Sequence, residues 1–75
     1  MGKLTRLSAK KVIQKLNQIG FYETHQRGSH VYLKSADGLR VLTVATHGSK
    51  EIPIGTLYNI IVHQAGLSVE KFNNL

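Results

Sequence analysis

Histidines stand at positions 25, 30, 47 and 63. An imidazole, with its unperturbed pKa of about 6.5, gives or takes a proton near neutral pH, so these residues are where the chain can do acid–base chemistry. His30 has the most suggestive surroundings. The run "QRGSHVYL" puts Arg27, Gly28 and Ser29 directly before it, and Lys34 follows. Gly28 lets a phosphate come close to the backbone, and Ser29 can donate a hydrogen bond to it. Arg27 and Lys34 offer positive charge on either side. Tyr32 adds a face on which a base can stack. His25 and His47 are the candidates for a second acid or base. His63 reads as a surface residue. Three imidazoles at His25, His30 and His47 could in principle hold zinc, but none has the short paired spacing of zinc sites. No carboxylate stands beside them to orient the rings. Neither a metal nor another cofactor is expected.

Ten Lys and Arg against four Asp and Glu give a net charge of +6 and a pI near 10.0. Lys3, Arg6, Lys10, Lys11 and Lys15 all precede the first acid, Glu23. A field of that sign attracts polyanions, and nucleic acid is the commonest one inside cells. The plainer reading is a solvated basic helix face. Cysteine is absent, which excludes a disulfide framework and thiolate metal sites. No apolar run approaches the roughly 20 residues of a membrane span. The start "MGKLTR" lacks a signal-peptide apolar core. A single domain over residues 1–75, with a cytoplasmic location and no membrane contact, is the expectation.

The elements that must position these residues follow from periodicity. Ser8 is a good N-cap, Val12, Ile13, Leu16 and Ile19 recur at helical spacing, and Gly20 offers a left-handed stop. The spacing predicts a helix over 9–19, with Lys10, Lys11 and Lys15 facing solvent or a ligand. "FYETHQ" at 21–26 and "HVYLK" at 30–34 read as strands, the second with Val31 and Leu33 on one face and His30, Tyr32 and Lys34 on the other. "SADG" at 35–38 is a turn with Asp37-Gly38 as the hairpin pair, and "LRVLTVAT" at 39–46 is the strongest strand. A hairpin loop at Arg27-Gly28 would set His25 opposite His30. Pro53 and Gly55 break a loop at 47–55, and Thr56 can cap a second helix carrying Leu57, Ile60, Ile61 and Ala65, stopped by Gly66. The opening of that helix, with Lys50 nearby, offers either a phosphate seat or ordinary capping. Ser68 caps a last turn that tucks Phe72 inward. Tyr22 and Tyr58 are ambiguous beside Tyr32, and filling the edge of the small core is the plainer reading of either. The class is α+β: an α-β-β-β-α order with a three-stranded antiparallel sheet and both helices on one face.

The chain carries "IGF", "RGSHVYL", "ADG", "VATHGSKEIPIGTLYNII" and "AGLS" followed by a Phe, in that order. Over about residues 7–72 they resemble the HicA family of small bacterial and archaeal toxins. The most specific parts are Gly28-Ser29-His30, His47-Gly48 and Gly55-Thr56-Leu57. The resemblance implies a double-stranded-RNA-binding-domain-like fold and a metal-independent messenger-RNA ribonuclease held inactive by a HicB-like antitoxin. It also implies that His30 is the catalytic histidine. One departure is Ala45, where family members usually carry proline two residues before the second histidine.

Metal-free cleavage needs a base for the ribose 2′-OH, an acid for the leaving oxygen and cations for the charged intermediate. His30 is the first choice for one proton role, with His47 ahead of His25 as its partner and Ser29 in support. Arg27, Gly28, Tyr32, Lys34 and Lys50, with Lys10 and Lys11 on the first helix, are the expected RNA contacts. DNA lacks the attacking hydroxyl, so the activity would be RNA-specific. Two other readings stay open: a non-catalytic RNA-binding module on the same fold, and a small protein whose basic face docks an acidic partner. A ribonuclease toxin must itself be neutralised, and an antitoxin covering the His30 face would do it. The free toxin is expected to be monomeric.

Overall fold

Ser8 caps the first helix as its position suggests: its Oγ accepts a hydrogen bond from the Lys11 N–H at 3.3 Å. In the computed structural model, which describes residues 3–46 and 50–75, α1 runs Ala9–Asn17. Beyond it Gly20 N–H bonds Asn17 C=O and Phe21 N–H bonds Leu16 C=O, the paired bonds of a Schellman stop. The expected end at 19 thus falls in the capping turns rather than in regular helix.

Three strands follow: β1 Tyr22–Arg27, β2 His30–Lys34 and β3 Val41–Ala45. They form one antiparallel sheet in the order β1-β2-β3. Val31, Leu33, Leu42 and Val44 alternate onto one face and are buried. That face carries the core together with Val12 and Leu16 of α1. The second helix begins as α2, Ile54–Tyr58, and continues without a break as a π-helical segment, Asn59–Gln64. It adds Leu57, Ile60 and Ile61 to the same core. A last helix, α3 Val69–Asn73, is capped by Ser68 and buries Phe72 completely. The α-β-β-β-α layering with both main helices on one face is as expected, with α3 appended.

The wider π turns have a visible effect. Gln64 reaches the outer edge of β3, where its Oε1 accepts from Thr43 N–H at 3.3 Å. That edge would otherwise offer an unpaired donor to any passing strand.

Several expectations change. β3 is shorter than 39–46 because Arg40 N–H turns to Ser35 Oγ and its C=O accepts from Ser35 N–H, closing the turn; Leu39 is left 82% exposed. The turn itself is Ser35–Gly38, closed by Gly38 N–H to Ser35 C=O. Gly38 is its last residue, so Asp37-Gly38 is not the central pair. Thr56 does not cap α2. The cap position belongs to Pro53, whose C=O accepts from Leu57 N–H at 2.9 Å, so the helix has begun before Thr56. Lys15 does not face a ligand: its Nζ lies 3.4 Å from Phe72 C=O and 4.9 Å from the centre of the Phe72 ring. Tyr22 and Tyr58 are about half exposed and fill no part of the core.

Candidate nucleic-acid interface

The site begins at the turn between β1 and β2. Arg27 pairs directly with His30, so the two turn residues are Gly28 and Ser29, one step later than the Arg27-Gly28 loop expected. Gly28 takes φ +57° and Ser29 does not adopt a positive φ. A positive angle at the first turn position alone is the sign pattern of a II′ hairpin, which puts glycine there. An added Cβ on Gly28 would meet nothing within 4 Å, so the turn is open to an approaching group. Ser29 anchors it from beneath, its C=O accepting from both Thr46 N–H and Thr46 Oγ1.

This one-residue change in turn position alters the pairing. His25 sits opposite Tyr32, not opposite His30. The register shifts between Glu23 and His25, with Thr24 as the extra residue of a bulge. Residues directly opposed in an antiparallel sheet share a face. The face away from the helices therefore carries three rows: Arg27–His30–Ala45, His25–Tyr32–Thr43 and Tyr22–Lys34–Val41. None of these residues is acidic. The sheet thus presents two full cations, two imidazoles and two phenols on one surface, and His30 is exposed at its edge.

Within that surface His25 and Tyr32 lie ring on ring, with centroids 4.3 Å apart and planes 7° apart. Thr24 Oγ1 stands 3.1 Å from His25 Nδ1 and 3.3 Å from the Tyr32 carbonyl. The sequence holds no signal for this arrangement, because the Thr24 bulge decides it.

The remaining candidates are spread elsewhere. Lys10 belongs to the helical layer and lines a groove of about 480 Å³ between α1 and β1, with Ile13, Gln14, Glu23 and Gln26. Lys11 is exposed on the same helix. Neither joins the His30 face. Lys50 lines a separate hollow of about 250 Å³ with Ala45, Ile52, Pro53 and Thr56. That hollow adjoins the Arg27–His30–Ala45 row through Ala45. His47, ranked ahead of His25 as the partner of His30, lies outside the described residues. His63 is exposed on the π segment, edge-on to Tyr58 at 5.8 Å. Among the described residues no cluster of three His, Cys, Asp or Glu is placed to hold a metal ion. None of the helices described is long and apolar enough to cross a membrane.

The family model described as HicA toxin of bacterial toxin-antitoxin matches residues 9–67, from the first helix to just past the second. A comparison with curated proteins found no match.

Proposed function

From a chain that belongs to the HicA toxin family of bacterial toxin–antitoxin systems, we propose a metal-independent endoribonuclease that cuts messenger RNA, with His30 moving a proton at the scissile phosphate. The observation that carries the reading is the exposed His30, directly opposite Arg27 on a sheet face bearing cations and no carboxylate. A phosphodiester approaching that face meets the Arg27 guanidinium and the open Gly28–Ser29 turn together. Imidazole supplies the proton transfer, and Arg27 with Lys34 offsets the charge that grows on phosphorus. Tyr32 and Tyr22 offer ring edges beside the strand, and Lys50 adds a cation beyond Ala45.

The partner follows from the same surface. A HicB-like antitoxin with an acidic, partly apolar patch would cover His30, Arg27 and Lys34 and exclude RNA by occupancy.

Wild-type protein and His30→Ala, incubated with single-stranded RNA in excess EDTA, test the reading. Cleavage by the wild type alone, leaving 2′,3′-cyclic phosphate ends, is the expected outcome. His30 has no role in the core, so the variant should keep wild-type stability to within about 0.5 kcal/mol. Equal cleavage by both proteins would remove His30 from the chemistry. Binding without cleavage by either would favour the non-catalytic module.

A further inference from the structure

We infer that His25 is the second acid–base group of this face and that it serves as the base, an inference that rests on the ribonuclease reading above. The hydrogen bonds around Thr24 assign the proton. A threonine hydroxyl has one proton to donate and can accept as well. The Tyr32 carbonyl, 3.3 Å away, can only accept, so the Thr24 proton points there. Thr24 Oγ1 is then an acceptor toward His25 Nδ1 at 3.1 Å, and Nδ1 must carry the ring proton. In the neutral ring, Nε2 keeps its lone pair. The Tyr32 ring, parallel to the imidazole at 4.3 Å, holds the plane in which that lone pair lies.

Position agrees with the role. Arg27 faces His30 and His25 faces Tyr32, so these residues form the corners of a quadrilateral on the sheet. The two histidines occupy one diagonal, where neighbours on an antiparallel pair lie about 7–8 Å apart at Cα. In-line attack places the 2′-oxygen and the leaving 5′-oxygen on opposite sides of phosphorus. One phosphate over the quadrilateral therefore meets an imidazole on each side and the Arg27 guanidinium at a third corner.

The step balances with these groups alone. His25 Nε2 takes the 2′-OH proton, the 2′-oxygen bonds to phosphorus, and the bond from phosphorus to the 5′-oxygen breaks. Protonated His30 gives its proton to that oxygen. A 2′,3′-cyclic phosphate and a 5′-hydroxyl result, with His25 protonated and His30 neutral until water returns the proton. The groups facing His25 across the open surface are Tyr22 and Arg27 on its own strand and His30, Tyr32 and Lys34 on β2. Those of β3, Val41, Thr43 and Ala45, carry no charge, and Glu23 lies on the other side of the sheet.

Nitrogen-15 NMR of the imidazoles combined with cleavage kinetics tests this. Once the ring is neutral, His25 should show a protonated Nδ1 and an unprotonated Nε2. Thr24→Val, which keeps the shape and removes the acceptor, should abolish that preference and slow cleavage. His25→Ala and His25→Gln should each slow cleavage by about 10²–10⁴-fold. Both should lose the fall in rate toward acidic pH that protonation of the base produces. Their affinity for uncleavable 2′-O-methyl RNA should stay at the wild-type level. A protonated Nε2 in the wild type, or a His25→Ala that cuts at the wild-type rate with the same pH profile, overturns the inference and leaves the ribonuclease reading standing. A wild type that does not cut overturns both.

Discussion

If RNA lies on the open sheet face, its affinity must depend on salt through the cations of that face, and the size of the effect follows from their number. Arg27 and Lys34 are the full cations there, whereas Lys10 and Lys11 sit on the helical layer. Each phosphate neutralised on a single strand contributes about 0.7 to the slope of log affinity against log salt. Neutralising both Arg27 and Lys34 to Gln should therefore lower the magnitude of the slope by about 1.4. Between 50 and 200 mM salt that amounts to roughly sevenfold: the wild-type surface loses about seven times more affinity across the range than the double variant does. The measurement is fluorescence anisotropy of a short labelled RNA, made on the His30→Ala background so that the ligand survives. Lys10→Gln with Lys11→Gln is the matched control and should leave the slope in place. Should the helix pair lower it while the sheet pair does not, RNA rides on α1, and the assignment of the open face fails.

Two further outcomes are expected. Ser35 Oγ, donating to the Asp37 carboxylate with the Leu39 N–H at 3.0 Å in support, holds the Asp37 carboxyl below its ordinary value of 3.8. The group is depressed in the folded state, so its stabilisation is present above the unfolded pKa and disappears as pH falls through the folded one. The urea midpoint of the wild type should exceed that of Asp37→Asn at pH 6, and the gap should close as pH falls through the folded pKa of the carboxyl; a gap that does not narrow in acid would contradict the account. Phe72 lies beyond the stretch matched by the family model yet is completely buried, so Phe72→Ala should cost about 3–5 kcal/mol. That is a large share of the roughly 4–11 kcal/mol expected for a chain of this length, and a urea titration showing a loss below about 1 kcal/mol would mean α3 is not part of the core.

Much of the fold is legible in the sequence. Val31 and Leu33 alternate with His30, Tyr32 and Lys34, and β2 has the limits that alternation suggests. Ser8 and Ser68 cap as serine does, because their hydroxyls have unpaired amides within reach. The misses at turns and caps share a cause: each depends on which of several nearby residues takes the turn or cap position, and side-chain periodicity does not report that. Gly28 satisfies either hairpin by composition, but only as first turn residue does it set Arg27 opposite His30. Pro53 rather than Thr56 takes the cap of the second helix because its C=O already accepts the first helical bond, from Leu57 N–H. For the site, the residue types pointed to His30. The Thr24 bulge, which turns His25 onto Tyr32, leaves no pattern in a stretch where every residue of β1 is exposed. The π segment is equally silent, since Ile60, Ile61 and Ala65 suit an α-helical stripe as well.

That segment has a consequence for how the gene can change length. A π turn is an α-helix holding one residue more than it needs, and Asn59–Gln64 tolerates it because the bonds run five residues back, as from Ala65 N–H to Ile60 C=O. Losing a single codon there would let the helix relax to α geometry and swing everything after it by about 100°. Gln64 would leave the Thr43 amide, and Phe72 would face away from Lys15. Substitutions at the exposed positions of this stretch, Asn59 and His63, are thus far better tolerated than a deletion of one residue, and lineages descended from this chain should vary there in letters while keeping their count.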